Sequence, residues 1–291
     1  MIKALILTVF QAFAQGTSEK MPLTVEILHA QVRHEGIPIN ERAAAIGAYF
    51  LTIPYENGPL GEGATGEFDR DPLARFDKAD CTTMVETVMA LALSDDIKDF
   101  PKHLARIRYK DGKVDYASRN HFPETDWIPN NVAVGILTDV TEVIARDKTA
   151  WAEKSISKNS WYAAKQENEL KGFDAATPKE RTRLLKRWRR LGKRFKDETA
   201  RLPYVPKEVI TEIATTIPNG TIFSLVRADR PDRPVLISHQ GLVIQKSDGT
   251  YLRHMATGRT GEDAPIRDYL DKYKDSSWKL LGLNLLALNG D

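Results

Sequence analysis

The chain has 291 residues, 42% of them hydrophobic and 28% charged, which suffices for one large core or two modest ones and excludes disorder as its general state. A formal net charge of +2 excludes the strongly basic footprint of a nucleic-acid binder, so any cationic partner surface is local. Cys81 is the one cysteine.

Met1-Ile2-Lys3 precedes a mostly apolar run from Ala4 to Phe10 and then Ala12-Phe13-Ala14, the charge, apolar core and small-x-small pattern of a secretory signal. The run is about half the ~20 residues needed to span a bilayer, so a leader cleaved after Ala14 is expected, with the mature chain periplasmic or secreted. No later stretch of the sequence is apolar enough to span. Structural cysteines pair in an oxidising compartment, so an unpaired Cys81 is an intermolecular link, an inert buried residue or a reactive thiol.

From about residue 20 onward the chain reads as one domain. Leu23, Ile27, Leu28 and Val32 fall at helical spacing up to His34, and Asn40 is a plausible N-cap for a second helix. Four glycines and two prolines make the stretch from Pro54 to Gly66 a loop. Apolar residues at 81, 84, 85, 88, 89, 91 and 92 predict a largely buried helix from Cys81 to Leu93, with Asp80 as N-cap. A third helix is expected over Ile97–Ile107, and Lys110-Asp111-Gly112-Lys113 reads as a hairpin turn. The stretch from Ala150 to Arg201 is polar and reads as helical, a basic insertion over about 148–203. Within it Leu184, Trp188, Leu191 and Phe195 lie on one face of an amphipathic helix whose other face is basic. Past Pro206, Thr221–Val226, Val235–Ile244 and Thr250–His254 read as strands, the last two joined by a turn at Asp248-Gly249. A helix near Ile266–Tyr273 and a strand near Gly282–Leu288 complete an α+β fold, with helices first and an antiparallel sheet after them.

A thiol reacts as thiolate, and a helix N-terminus lowers its pKa while aiming backbone N–H groups at a developing oxyanion. Cys81 stands at such a position. Its base must be a spatial neighbour. Among six histidines, His29, His34 and His103 sit in polar helical surroundings and read as solvated, whereas His239 and His254 lie on the strands of one hairpin. Counting from Asp248-Gly249 places 239 opposite about 258 and 254 opposite about 243, with both able to face the sheet side that meets the Cys81 helix. Two readings of this pattern stand side by side. Cys81 is a nucleophile with a histidine base, or it is a small buried hydrophobe with two hydrogen-bonded structural histidines.

The string Phe76-Asp77-Lys78-Ala79-Asp80-Cys81-Thr82-Thr83-Met84-Val85-Glu86 resembles the Asp-Cys-Thr-Thr-Phe-Val-Glu signature of the N-acetylmuramoyl-L-alanine amidase-like family, a branch of the NlpC-type papain-like cysteine peptidases. Phe50-Leu51-Thr52-Ile53-Pro54-Tyr55, Arg119-Asn120-His121-Phe122 with Asp126-Trp127-Ile128, and Ser238-His239-Gln240-Gly241 followed by His254 agree in order. Met84 and Gln240 depart from the pattern. The resemblance covers about 40–140 and 203–290 and leaves the basic stretch unmatched. It implies an antiparallel sheet packed on the nucleophile helix and hydrolysis of an amide bond in peptidoglycan, with Cys81 attacking, His239 shuttling the proton and His254 orienting His239. It also implies that Tyr55 and Asp80 hold the free amine of a stem peptide, that Arg119 and His121 meet substrate carboxylates, and that Trp127 walls the cleft. Asp80 is equally explained as an N-cap. A monomer needing no cofactor, with a muropeptide as partner, is expected, and the net charge and hydropathy argue for neither nucleic acid nor a transmembrane segment. Two rivals remain: an inactive wall-binding module, and a zinc amidase using His121, His239 and His254, although the sequence holds no H-E-x-x-H motif.

Overall fold

The structure, a computed structural model, describes residues 21–290, so the leader expected up to Ala14 lies outside the described residues. Helices α1 (Leu23–His34) and α2 (Ile39–Gly47) pack on α3 (Cys81–Leu93), whose residues from Thr83 onward are all buried. A helix apolar on every side belongs in a core, and α3 occupies the centre of the larger one. The third expected helix splits into a 3-10 turn at Ile97–Asp99 and α4 (Phe100–Arg108), with Pro101 in the first turn, where a missing N–H costs nothing. Residues Lys110–Gly112 form a 3-10 turn with Asp111 at φ 57°, and the only pairing around it is an isolated bridge from Tyr109 to Arg119. The hairpin expected there is thus a turn without strands.

Short helices α5 (Ile128–Ala133) and α6 (Thr141–Ala145) flank strand β1 (Leu137–Asp139). The insertion differs from its expected helical character at both ends. It opens with β2 (Ala150–Ile156) and closes into β3 (Glu198–Pro206), which pair antiparallel along their length. Between them lie α7 (Lys158–Ala163) and the basic α8 (Pro178–Leu191), which starts from a reciprocal capping box between Thr177 and Glu180. Trp188 is buried with Phe68, Tyr116, Tyr162, Leu170 and Phe173 in a separate aromatic cluster, with Leu184, Leu191 and Phe195 packed against it. The amphipathic reading therefore holds, and the apolar face is fully used.

Strands β4 (Ile222–Arg227), β5 (Ile237–Lys246), β6 (Gly249–Met255), β7 (Gly261–Pro265) and β8 (Leu280–Leu288) complete an antiparallel sheet in the order β2-β3-β8-β4-β5-β6-β7, with β1 also on β8. Leu242 and Ile244 face the core around α3, while Val243 and Leu252 face a second core closed by α9 (Lys207–Ile213) and α10 (Ile266–Asp271). The β5–β6 turn is Ser247-Asp248, with Lys246 paired to Gly249 and Leu242 to Arg253, two positions tighter than the count from the sequence. No helix among the described residues is long and apolar enough to cross a membrane.

Candidate active site

Asp80 and Thr83 form a reciprocal capping box at the start of α3, with Asp80 Oδ1 accepting from the Thr83 N–H at 2.8 Å and Thr83 Oγ1 accepting from the Asp80 N–H at 2.9 Å. Asp80 Oδ2 accepts a further bond from the Gly58 N–H, 2.9 Å away, which ties the glycine-rich loop to the helix. Cys81 is thereby fixed as the first helical residue. The Tyr55 segment runs beside Ala79, and the Tyr55 phenol, pushed up mainly by burial, lies near Thr257, Cys81 and Asp80.

Strand β5 meets this helix end at Gln240. The Gln240 amide N–H faces the Cys81 sulfur, and its side chain bridges Thr82 Oγ1 at 3.1 Å and Ser224 Oγ at 3.3 Å. Gln240 is buried. Gly241 follows because any Cβ there would run into the Arg253 carbonyl and the Phe223 ring. Along β4, Val226 pairs with Ile237 and Ser224 with Gln240, so Ser238 and His239 together oppose Leu225 alone. This is a β-bulge, and bulges re-aim side chains. It sets the direction of His239 independently of strand alternation. Just upstream, Glu124 Oε1 accepts from the Leu236 N–H at 2.5 Å and from the Ile237 N–H, pinning the entry into the bulge.

His239 Nε2 lies 3.0 Å from His254 Nδ1. His254 is the cross-strand partner of Glu262 on β7, and its Nε2 lies 3.2 Å from Glu262 Oε1. Glu262 also has Arg259 and Lys272 within ion-pair range at 3.5 and 3.8 Å. The His254 ring packs against Tyr269 of α10 with centroids 4.7 Å apart, so it lies on the sheet face opposite α3. The expectation that both histidines face the α3 side is corrected here. The site stands at the end of the sheet, where α3 brings Cys81 from one face and α10 brings Tyr269 from the other; the Tyr269 phenol, raised chiefly by burial, also feels Cys81.

Burial pushes the Cys81 thiol up to about 12, with Asp80 adding to the rise and the Gln240 and Thr82 bonds opposing it. The thiolate expected from helix placement alone is therefore outweighed by desolvation and a carboxylate one residue away. Burial, His254 and Arg227 hold His239 down at about 3. The resting pair is thiol and neutral imidazole, and the sulfur makes no hydrogen bond to His239, its one side-chain neighbour in bonding range among the described residues being Thr82 Oγ1 at 3.9 Å.

Three residues named from the sequence lie elsewhere. Arg119 is held by Glu62 and Asp69, its Nη2 lying 2.5 and 3.0 Å from their carboxylates, and stacks over Tyr116. His121 donates its Nε2–H to the Tyr116 carbonyl at 2.8 Å and is enclosed by Tyr116, Trp161 and Tyr162. Trp127 is 1% exposed and donates to Glu86 Oε1, which is also paired with Arg108, so it supports the underside of α3 rather than a cleft wall. His29, expected in solvent, is buried with its ring on the Ser94 carbonyl at 2.8 Å. Glu262, Glu124 and Tyr269 were missed. Only Glu262 carried a sequence signal, as the acidic residue a short loop after His254.

The zinc set His121, His239 and His254 is not assembled, and no group of three or more His, Cys, Asp or Glu among the described residues is placed to hold a metal ion. A family model for N-acetylmuramoyl-L-alanine amidase-like (AmiA-like) proteins matches residues 45–276. The chain belongs to the N-acetylmuramoyl-L-alanine amidase-like family. This amidase-like chain is similar to a solved protein from Legionella pneumophila str. Philadelphia 1, with 28% identity and a TM-score of 0.83 over 91% of this chain and 93% of the other. It also resembles an N-acetylmuramoyl-L-alanine amidase from Bacteroides uniformis ATCC 8492, at 25% identity and TM-score 0.64 over 86% and 99% of the two chains. A third likeness is a putative xylanase from Bacteroides fragilis, at 28% identity and TM-score 0.58 over 83% and 98%. No curated protein matches the chain.

Proposed function

We propose that this amidase-like protein is an exported cysteine hydrolase of the NlpC-type, papain-like kind that cuts an amide bond in peptidoglycan, either between muramic acid and L-alanine or within the stem peptide. The observation that carries the reading is the meeting of Cys81, at the start of α3, with the bulged β5 segment bearing His239, itself bonded to His254. The Glu262 carboxylate, 3.2 Å from His254 Nε2 but not aligned for a hydrogen bond, attracts a proton to that nitrogen and so favours His254 with its proton on Nε2. His254 Nδ1 then accepts from His239 Nε2–H, which leaves the lone pair of His239 on Nδ1. His239 Nδ1 is thus the proton acceptor for the thiol.

Because the thiol is raised and the imidazole lowered, proton transfer is coupled to attack instead of preceding it. As the sulfur adds to the carbonyl carbon, His239 takes the thiol proton, and the Cys81 backbone N–H faces the developing oxyanion. Collapse breaks the C–N bond, with the imidazolium proton going to the leaving amine. Water then attacks the thioester, giving a proton to His239; the C–S bond breaks, the sulfur takes that proton back as thiol, and the acid is released. No cofactor enters this chemistry. Tyr55 and Asp80 border the sulfur and suit an ammonium group of the peptide. Trapping tests the reading: acid quench of a muropeptide reaction, followed by intact-protein and peptide mass spectrometry, should show an acyl group on Cys81.

The second reading, a wall-binding module without turnover, draws on the raised thiol. Wall binding with no muropeptide cleavage at any pH would select it. Export is tested by the N-terminal sequence of protein recovered from cell fractions, which should begin at residue 15 outside the cytoplasm.

A further inference from the structure

Ten of the chain's 42 Lys and Arg, and one of its 40 Asp and Glu, fall within residues 179–196, so this stretch carries +9 while the rest of the chain carries −7 of the net +2. The apolar face of α8 is consumed by the aromatic cluster around Trp188, which leaves the charge displayed on a rigid, anchored helix. Arg183, Arg187, Arg190 and Arg194 recur at steps of four, three and four, a line along α8 and the turn after it of about 16 Å. All four are exposed. Arg187 pairs with Glu67, whereas Arg183, Arg190 and Arg194 make no ion pair among the described residues.

Two grooves run beside this line. One, of about 400 Å³, is lined by Phe68, Tyr116 and Leu191 and by Arg187, Arg190 and Arg194, with Glu67, the partner of Arg187, and Asp115 as its acidic members. The other, of about 510 Å³, is lined by Phe173 and Leu184 and by Arg70, Arg183 and Arg187, with Glu180 its one acidic member and the Arg70 guanidinium 4.0 Å over the Phe173 ring. A flat anionic surface would touch the crest of the helix and leave the grooves unused. A chain with carboxylates spaced along it, and sugar or alkyl faces between them, can use both the arginine line and the aromatic linings.

We propose that α8 and its flanking grooves form a docking surface for polymeric peptidoglycan, with the arginine line receiving carboxylates of successive stem peptides. The inference rests on the proposed substrate class but is separable from the proposed chemistry, because docking does not require cleavage. Polymer binding raises local substrate concentration at the Cys81 site without changing chemistry on a short fragment.

The test uses full-length Cys81→Ala, which cannot turn over, in pelleting assays with purified sacculi, and compares it with the same chain carrying Arg183→Glu, Arg190→Glu and Arg194→Glu. Melting curves of both confirm that these exposed changes leave the fold intact. Docking predicts that the triple reversal weakens sacculus binding by about tenfold or more and that added salt weakens the parent in the same direction. In the Cys81 background the triple reversal should lower cleavage of sacculi while leaving the rate on a monomeric muropeptide unchanged. Equal sacculus binding by parent and reversal overturns the proposal. So does binding of the parent to vesicles of anionic phospholipid but not to sacculi, which would assign the surface to a membrane. If neither protein with intact Cys81 cleaves muropeptides but the pelleting difference persists, the docking surface stands and the hydrolase reading fails.

Discussion

Glu124→Ala should lower stability and catalysis together, through the loss of the same two hydrogen bonds. The carboxylate accepts from the N–H groups of Leu236 and Ile237, both buried. Stranding two buried donors costs about 1–3 kcal/mol each, so the variant should lose about 2–6 kcal/mol and melt several degrees lower. The bulge that aims His239 begins directly after Ile237, so turnover should fall by about tenfold to a hundredfold, the range expected for a displaced catalytic group. Glu124→Gln keeps an acceptor and should retain most of both properties. The carboxyl also gives a pH signature. Burial pushes Glu124 up to about 7 from the usual 4.5, so the folded chain holds a proton that the unfolded chain has released between those values. Its stabilising contribution is full below about 4.5 and is lost as pH rises through about 7, a swing of about 3 kcal/mol that Glu124→Gln lacks. Urea melts of wild type and both variants at pH 4.5 and 8, with muropeptide turnover on the same samples, check this. Glu124→Ala with wild-type melting and turnover, or a wild-type to Gln difference that does not move with pH, refutes the reasoning.

Iodoacetamide should alkylate Cys81 slowly at neutral pH and faster only as pH climbs from 9 towards 12; His239→Ala should abolish turnover yet leave that profile nearly unchanged, since the resting imidazole is neutral, and a fast plateau between pH 6 and 8 would reveal a thiolate pair instead. His254→Asn and Glu262→Gln should each retain more turnover than the corresponding alanine variants, because an amide oxygen still faces the relayed N–H; equal rates for amide and alanine would remove both residues from the relay. Trp188→Ala should destabilise the insertion by about 3–5 kcal/mol, read as early proteolysis of residues 150–206, and unchanged protection would show that the aromatic cluster does not hold α8.

Local signals made α3 legible. Its all-round apolar pattern, Asp80 as cap and Cys81 in the first turn depend on a dozen consecutive residues and need no knowledge of partners. The β5–β6 hairpin was visible for the same reason, although its turn fell one residue earlier than the Asp-Gly pair suggested. The bulge at Ser238 and His239 was not visible, because it exists only in the register against β4. Strands β2 and β3 were hidden by composition: Lys154 is an inward-facing charge, its ammonium on Asp229 and the Arg230 carbonyl, so the alternation of Ala152 and Ile156 looked interrupted. Arg119 and Trp127 read as cleft groups because their structural partners Glu62, Asp69 and Glu86 lie at least 41 residues away in sequence. The helix end alone points the thiol pKa downward, whereas its burial, a tertiary fact, raises it.

The central claim is that Cys81 performs the attack. The most direct measurement is mass spectrometry of a defined muropeptide after incubation with wild type and with Cys81→Ala, the two matched in melting temperature. The account predicts one amide cleaved by wild type and none by the variant; cleavage at a comparable rate by a folded Cys81→Ala would contradict it.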